Sequence, residues 1–264
     1  MKVGLIQIHS VPEDVKGNVN KGIKMFQEAV EKGADIIVFP ELWTCGYYLE
    51  TEGFLKAEKQ NPEILERFQS LSRENEVLTL IPLPIKKEGK LYIGMYLIEK
   101  TGEIIAEYHK SFLWGREQKY FTSGERKYEP VDTSIGRIGL LICYDMEFAE
   151  PSRILAKKGA QIIFAPSVWS IPAENRWQIQ YAARALDNTI FVCGINNVEE
   201  GACGKTKVVG PMGNTLMEAS AEKEEVLVCE VDYQQIEEAK KIVPYLAEYD
   251  DSLFPGGIEK IQEL

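Results

Sequence analysis

Lys32-Gly33-Ala34-Asp35-Ile36-Ile37-Val38-Phe39-Pro40-Glu41 returns 126 positions later as Lys158-Gly159-Ala160-Gln161-Ile162-Ile163-Phe164-Ala165-Pro166-Ser167. Ahead of each copy lies another matched pair, Val3-Gly4-Leu5-Ile6-Gln7-Ile8 and Ile138-Gly139-Leu140-Leu141-Ile142-Cys143, 135 positions apart. In the first unit, Val19, Ile23, Phe26 and Val30 recur at the spacing of one helical face. The second unit has a shorter helix, with Pro151 tolerated in its first turn and Ile154 and Leu155 facing inward. Each unit reads strand–helix–strand. Its glycine closes the helix, and its unbroken apolar strand suits a sheet covered on one or both faces. Gly-Ala ahead of β-branched residues is common at any helix-to-strand join. Two matched strands in matched order nevertheless indicate an internal pseudo-repeat.

Between the units, Pro62 to Asn75 reads as an amphipathic helix leading to a strand over Val77 to Ile81. A hairpin follows, Leu91 to Ile98 and Glu103 to Tyr108, turning at Lys100-Thr101-Gly102. Beyond the second unit, Asn175 to Leu186 is a helix, and Thr189–Cys193, Lys205–Val209 and Val226–Val231 are strands. From Asp232 the chain reads as charged and irregular. No linker or low-complexity stretch divides it, so residues 1–233 are expected to form one domain, and 234–264 a tail packing on that domain or a partner subunit.

With 264 residues, 45% of them hydrophobic, the chain is long enough to bury a substantial core. Its 41 acidic residues against 30 basic ones give a net charge of -11, which disfavours nucleic acid and anionic membranes as partners. No apolar run approaches the roughly 18 residues of a membrane span, and Met1 to Ile8 turns polar too soon for a signal peptide. Five cysteines without a CxxC pair argue against a disulfide framework or a zinc site, and a cytoplasmic enzyme with reduced thiols is expected. Only His9 and His109 are present, so a cysteine nucleophile would look to a carboxylate for its base.

Leu140-Leu141-Ile142-Cys143-Tyr144-Asp145 ends an apolar strand on a thiol, at the kind of strand end where open α/β folds gather their chemistry. Glu41 stands just past the other unit's second strand. If the two units pack as a pseudo-symmetric sheet, Glu41 and Cys143 converge at one edge, within reach of Lys110 after the hairpin. Such a trio suits acyl transfer: Glu41 takes the thiol proton and returns it to the leaving nitrogen, while Lys110 and the Tyr144 N–H stabilise the oxyanion. Plainer explanations exist for each: an inert buried thiol, a helix-capping glutamate, a solvated loop lysine.

Phe39-Pro40-Glu41-Leu42 with Cys45-Gly46-Tyr47, then Tyr108-His109-Lys110, then Ile142-Cys143-Tyr144-Asp145-Met146-Glu147-Phe148 resemble the three catalytic blocks of the nitrilase superfamily of carbon–nitrogen hydrolases, in order and in spacing. Arg184-Ala185-Leu186-Asp187-Asn188 and the run Gly204 to Gly213 extend the resemblance over Met1 to about Tyr233. It implies an α/β fold, a four-layer αββα sandwich built from two pseudo-symmetric βαβ halves. It also implies a Glu41–Lys110–Cys143 triad, a covalent thioester, and neither cofactor nor metal. Glu117 falls where the family carries a second active-site glutamate, which positions the lysine and the substrate amide.

Within the superfamily, Cys143-Tyr144-Asp145-Met146 and the Arg184–Asn188 block are most similar to the ω-amidase-like branch, implying a primary amide of a small dicarboxylic or keto acid. Ile93, Phe112 and the tail Tyr245 to Asp251, without paired arginines, depart from that pattern. For the substrate-binding pocket, Tyr47, Tyr48, Trp114, Tyr144, Met146 and Trp169 flank the strand ends, with few obvious cations beyond Lys110 and Arg116. The expected partners are a small-molecule amide and, by analogy, further copies of the chain in a homodimer or larger homo-oligomer. A nitrilase or N-carbamoyl hydrolase using the same triad, and a catalytically silent binding protein, are the competing readings. Cys193 and Cys229 are read as core and Cys45 as incidental. His109 points away from Lys110 by strand alternation, which disfavours a cysteine–histidine dyad.

Overall fold

The computed structural model describes residues 1–199, 201–250 and 252. The first strand–helix–strand unit is β1 (Lys2–Gln7), α1 (Val15–Glu31) and β2 (Ile36–Val38). Then come α2 (Thr51–Glu58), α3 (Asn61–Asn75), β3 (Leu78–Lys87) and the hairpin of β4 (Lys90–Ile98) and β5 (Ile104–His109). After β6 (Val131–Thr133), the second unit is β7 (Gly136–Leu140), α4 (Ala149–Lys157) and β8 (Ile162–Ser167). The chain continues through α5 (Glu174–Asn188), β9 (Phe191–Asn196), β10 (Lys207–Val209), β11 (Thr215–Glu218), β12 (Glu225–Glu230), α6 (Gln234–Ile242) and α7 (Tyr245–Glu248).

The strands form two six-stranded sheets, ordered β12-β1-β2-β3-β4-β5 and β6-β7-β8-β9-β10-β11. In each, the second, third and fourth strands run parallel and the outer pairings are antiparallel. The pseudo-repeat visible in two strands therefore extends to all six. The two units do not share one sheet, as the picture of a common edge for Glu41 and Cys143 had it. Each unit's sheet is covered by its own helices on one face, α1 and α3 for the first sheet, α4 and α5 for the second. The remaining apolar faces are buried against each other, with β1 touching β9, which gives the expected four layers.

Both faces of β1, β2, β8 and β9 are almost entirely buried, which is why these strands read as continuous apolar runs. The longest strand, β3, carries Pro82 and Pro84 inside it. It pairs with β2 only over Leu78–Leu80, so beyond that point the prolines' missing N–H groups face no ladder partner. Asn61 at the head of α3 uses the freed side, donating to the Pro84 carbonyl at 2.7 Å.

The segment from Asp232 is helical rather than irregular. Ile236 and Ala239 of α6 share a buried face, while Glu237, Glu238, Lys240 and Lys241 on the outside obscured the period. Asp251 and residues 253–264 of the expected tail lie outside the described residues. Among the described residues no helix is long and apolar enough to cross a membrane.

Candidate active site

Glu41 lies three residues past the end of β2, in a turn that Leu42 completes with a left-handed backbone (φ 51°). Phe39 and Trp43 on either side stack at 4.3 Å, and Phe68 of α3 meets both edge-on. Gly22 of α1 makes room for that stack, since a Cβ there would come within 2.3 Å of the Trp43 ring. Asn197 fixes the Glu41 backbone further, donating to its carbonyl at 3.0 Å. The carboxylate is thereby aimed inward from a rigid turn.

Lys110 directly follows β5. Its N–H still donates to Ile93 and its carbonyl accepts from Gly124, so the chain is held while the side chain runs fully buried into the interior. There Nζ donates to Glu41 Oε1 at 2.8 Å and to Glu117 Oε1 at 2.7 Å. Glu117 also accepts from the Tyr47 hydroxyl at 2.9 Å, and its second oxygen caps its own 3₁₀ turn by accepting the Trp114 N–H at 2.8 Å. One ammonium thus bridges two buried carboxylates.

Cys143 opens the 3₁₀ turn Cys143–Glu147 that follows β7, and its backbone is left-handed, with φ 45°. Such a conformation costs a non-glycine residue on the order of 1 kcal/mol or more and persists only where the surroundings enforce it. Asp145 enforces it here. Wholly buried, it accepts from the Ile142 N–H at 3.0 Å behind the nucleophile. It also accepts from the N–H of Ser111 and Phe112, the Ser111 hydroxyl and the Tyr108 hydroxyl. This one carboxylate ties the segment carrying Lys110 to the elbow carrying Cys143, across the two sheets. It stands in the quoted cysteine block, but nothing in the sequence distinguishes it from a turn aspartate.

Burial pushes the Glu41 carboxyl up to about 7, against the pull of Lys110 and with the help of Glu117. Burial also drives the Cys143 thiol well above its ordinary range; the Glu41 charge adds to this, and Lys110 and the Val168 N–H oppose it. For Lys110, burial favours the neutral amine, but Glu117 and Glu41 outweigh it and hold the ammonium charged. Val168, just past β8, sits at the same place, its N–H donating to Glu41 Oε2 at 2.9 Å. The resting site therefore pairs a neutral thiol with a carboxyl poised near neutrality and a fixed cation.

Cys143 opens onto a cavity of about 90 Å³, room for a handful of heavy atoms. Tyr47, Tyr48, Trp114, Tyr144 and Trp169, all expected in the pocket, line it together with Glu147, Val168, Ser170, Ala173 and Arg176. Met146 does not: it is fully buried in the core. Tyr144 and Glu147, three residues apart in the 3₁₀ turn, look into the cavity together. Arg116 lies outside the lining as well, behind Tyr48, donating to the Leu49 carbonyl. The cation at the cavity is Arg176 of α5, bound to both oxygens of Glu147 at 2.9 and 2.6 Å. Larger hollows lie under α6 and beside β5, away from the thiol. His109 stacks on Tyr92 at 4.2 Å, and Cys193 and Cys229 are buried in β9 and β12.

The family model for carbon-nitrogen hydrolases matches residues 2–241. A 2-oxoglutaramate amidase of Bacillus subtilis (strain 168) is 30% identical over 245 residues, which cover 90% of this chain and 93% of that protein. The crystal structure of a carbon-nitrogen hydrolase from Helicobacter pylori G27 superposes with a TM-score of 0.91 at 25% identity, covering 96% of both chains. An amidase from Nesterenkonia sp. AN1, solved as a variant with acrylamide added to its active-site cysteine, superposes at 0.85 with 27% identity, covering 96% of this chain and 98% of that one.

Proposed function

This chain belongs to the carbon–nitrogen hydrolase family, and we propose that it is an amidase cleaving a small primary amide to the acid and ammonia through a thioester on Cys143. The observation that carries this reading is the buried Glu41–Lys110–Glu117 bridge beside a strained cysteine that opens onto a small cavity. The chemistry follows from the protonation states. As the Cys143 sulfur attacks the amide carbon, its proton passes to Glu41, whose raised value makes it a competent base near neutral pH. The carbonyl π electrons move onto oxygen, where the Lys110 ammonium and the Tyr144 N–H at the open end of the 3₁₀ turn stabilise them. Collapse breaks the C–N bond, and the nitrogen leaves as ammonia with the proton returned by Glu41. Water, deprotonated by the same carboxylate, then adds to the thioester and releases the acid and the thiol.

Glu117 holds Lys110 from the far side, so the ammonium stays in place when Glu41 is neutral. The amide-named relatives support the same bond type. Intact-protein mass spectrometry with a panel of small amides tests the proposal. Wild type is expected to release ammonia and to show an acyl adduct on rapid acid quench, and Cys143→Ala to do neither. Silence of the wild type across the panel would rule it out.

The pH profile gives a second test. Glu41 must be ionised to accept the proton, so kcat/KM is expected to fall about tenfold per pH unit below about 7 and to level off above it. Ammonia release followed from about pH 5 to about pH 9 reads this directly. A midpoint near the ordinary carboxylate value would exclude Glu41 as the base.

A further inference from the structure

Among the described residues that line the cavity with Cys143, Arg176 is the one cation, and it is already paired. Arg176 Nη1 donates to Glu147 Oε1 and Oε2, and the guanidinium lies 5.5 Å from the Trp114 ring centre. Glu147 sits one 3₁₀ turn past Tyr144, and both line the cavity with Cys143. The pair is well sheltered on its acidic side: the Glu147 side chain is 15% exposed and that of Arg176 is 43% exposed.

We infer that the Glu147–Arg176 pair selects the charge of the acyl group, so that the enzyme takes amides whose acyl part is uncharged and rejects those bearing a carboxylate. This rests on the amidase reading above and narrows its substrate class. An arginine free in such a wall would be a fork for a substrate carboxylate. Here the fork faces a carboxylate of the protein's own. A second carboxylate approaching Arg176 meets Glu147 at comparable range, so attraction and repulsion cancel while the cost of desolvating the incoming charge remains. An uncharged acyl group meets none of this and packs against Tyr144, Trp114 and Trp169. The B. subtilis relative is named for a carboxylate-bearing amide, so the charge of this wall predicts a difference within the family.

The test compares succinamide with succinamate, which differ only in one terminal carboxamide against a carboxylate. Wild type is expected to favour succinamide in kcat/KM. Glu147→Gln, nearly isosteric, uncovers Arg176 and is expected to raise the succinamate-to-succinamide ratio about tenfold or more. In Glu147→Gln/Arg176→Gln that gain should disappear. A wild type that prefers succinamate, or a ratio unmoved in Glu147→Gln, would overturn the inference. So would an equal loss on both substrates, which marks the pair as a tether between the elbow and α5.

Calorimetry in a Cys143→Ala background separates this from the amidase reading. Succinamate should bind when Glu147→Gln is added and not before; binding in both, or in neither, sinks the proposal. If the wild type is inert towards every amide while this binding pattern holds, the amidase reading fails and the charge selection stands.

Discussion

Replacing Lys110 by methionine is expected to destabilise the fold by about 3–5 kcal/mol, and by more at pH 9 than at pH 6. The side chain is fully buried and touches both Glu41 and Glu117, themselves buried. Methionine fills the volume but leaves two carboxylates facing each other without a cation. One of them must then be protonated, and Glu41, already raised to about 7, is the one placed to take the proton. The sign follows: with its folded-state value above the unfolded one, Glu41 favours the fold below its unfolded value, and that stability is lost as pH rises through the folded value. Guanidinium unfolding of wild type and variant at the two pH values measures the effect. A variant as stable as wild type at pH 9 would show that the lysine is not what makes the buried charges tolerable.

Glu41→Gln should do the opposite, removing activity while sparing the fold. The amide oxygen can still accept from Lys110, and the Lys110–Glu117 pair is left neutral instead of carrying an extra negative charge. The cost is local: the amide NH₂ replaces the oxygen that accepts the Val168 N–H, setting two donors face to face. Against this stands relief from ionising a carboxyl in a buried site, so the two terms oppose and a stability change well below that of Lys110→Met is expected. The rate effect has no such offset. Losing the base is expected to lower kcat/KM by roughly 10³ at pH 8, within the range for a general base, and to abolish the limb near 7 in the pH profile. Steady-state ammonia release measures both. Retention of that limb in the variant would assign it to another group.

The gathering of Glu41, Lys110 and Cys143 was legible because each stands in a block at a strand end, where sequence position and chemistry coincide. Tyr47, Tyr48, Trp114, Tyr144 and Trp169 were legible for the same reason. Asp145 and the Glu147–Arg176 pair were not. Their importance lies in contacts with segments about 30 residues away, and alone each looks like a turn residue or a solvated charge. Met146 was misplaced because it flanks a strand end within the cysteine block, yet its side chain is wholly buried in the core. The second sheet was hidden for a different reason: a repeat reports that two units are alike, not whether they lie side by side or face to face. Val168 could have been found by pushing the repeat one residue past Ser167, the counterpart of Glu41.

The two sheets differ in one respect that the pseudo-symmetry conceals. The second is built from consecutive strands, β6 to β11, but the first takes its outer strand from β12, which pairs with β1 in the register Lys2–Glu230 to Gln7–Glu225. During synthesis the first half must therefore wait, an edge uncovered, until more than two hundred residues have been made. The second half can settle sooner, because its pairings are local in the chain. Glu41 and Lys110 belong to the late-closing half and Cys143 to the early one. The three side chains therefore hang from two separately closed sheets, and come together only once both sheets are complete and packed on each other.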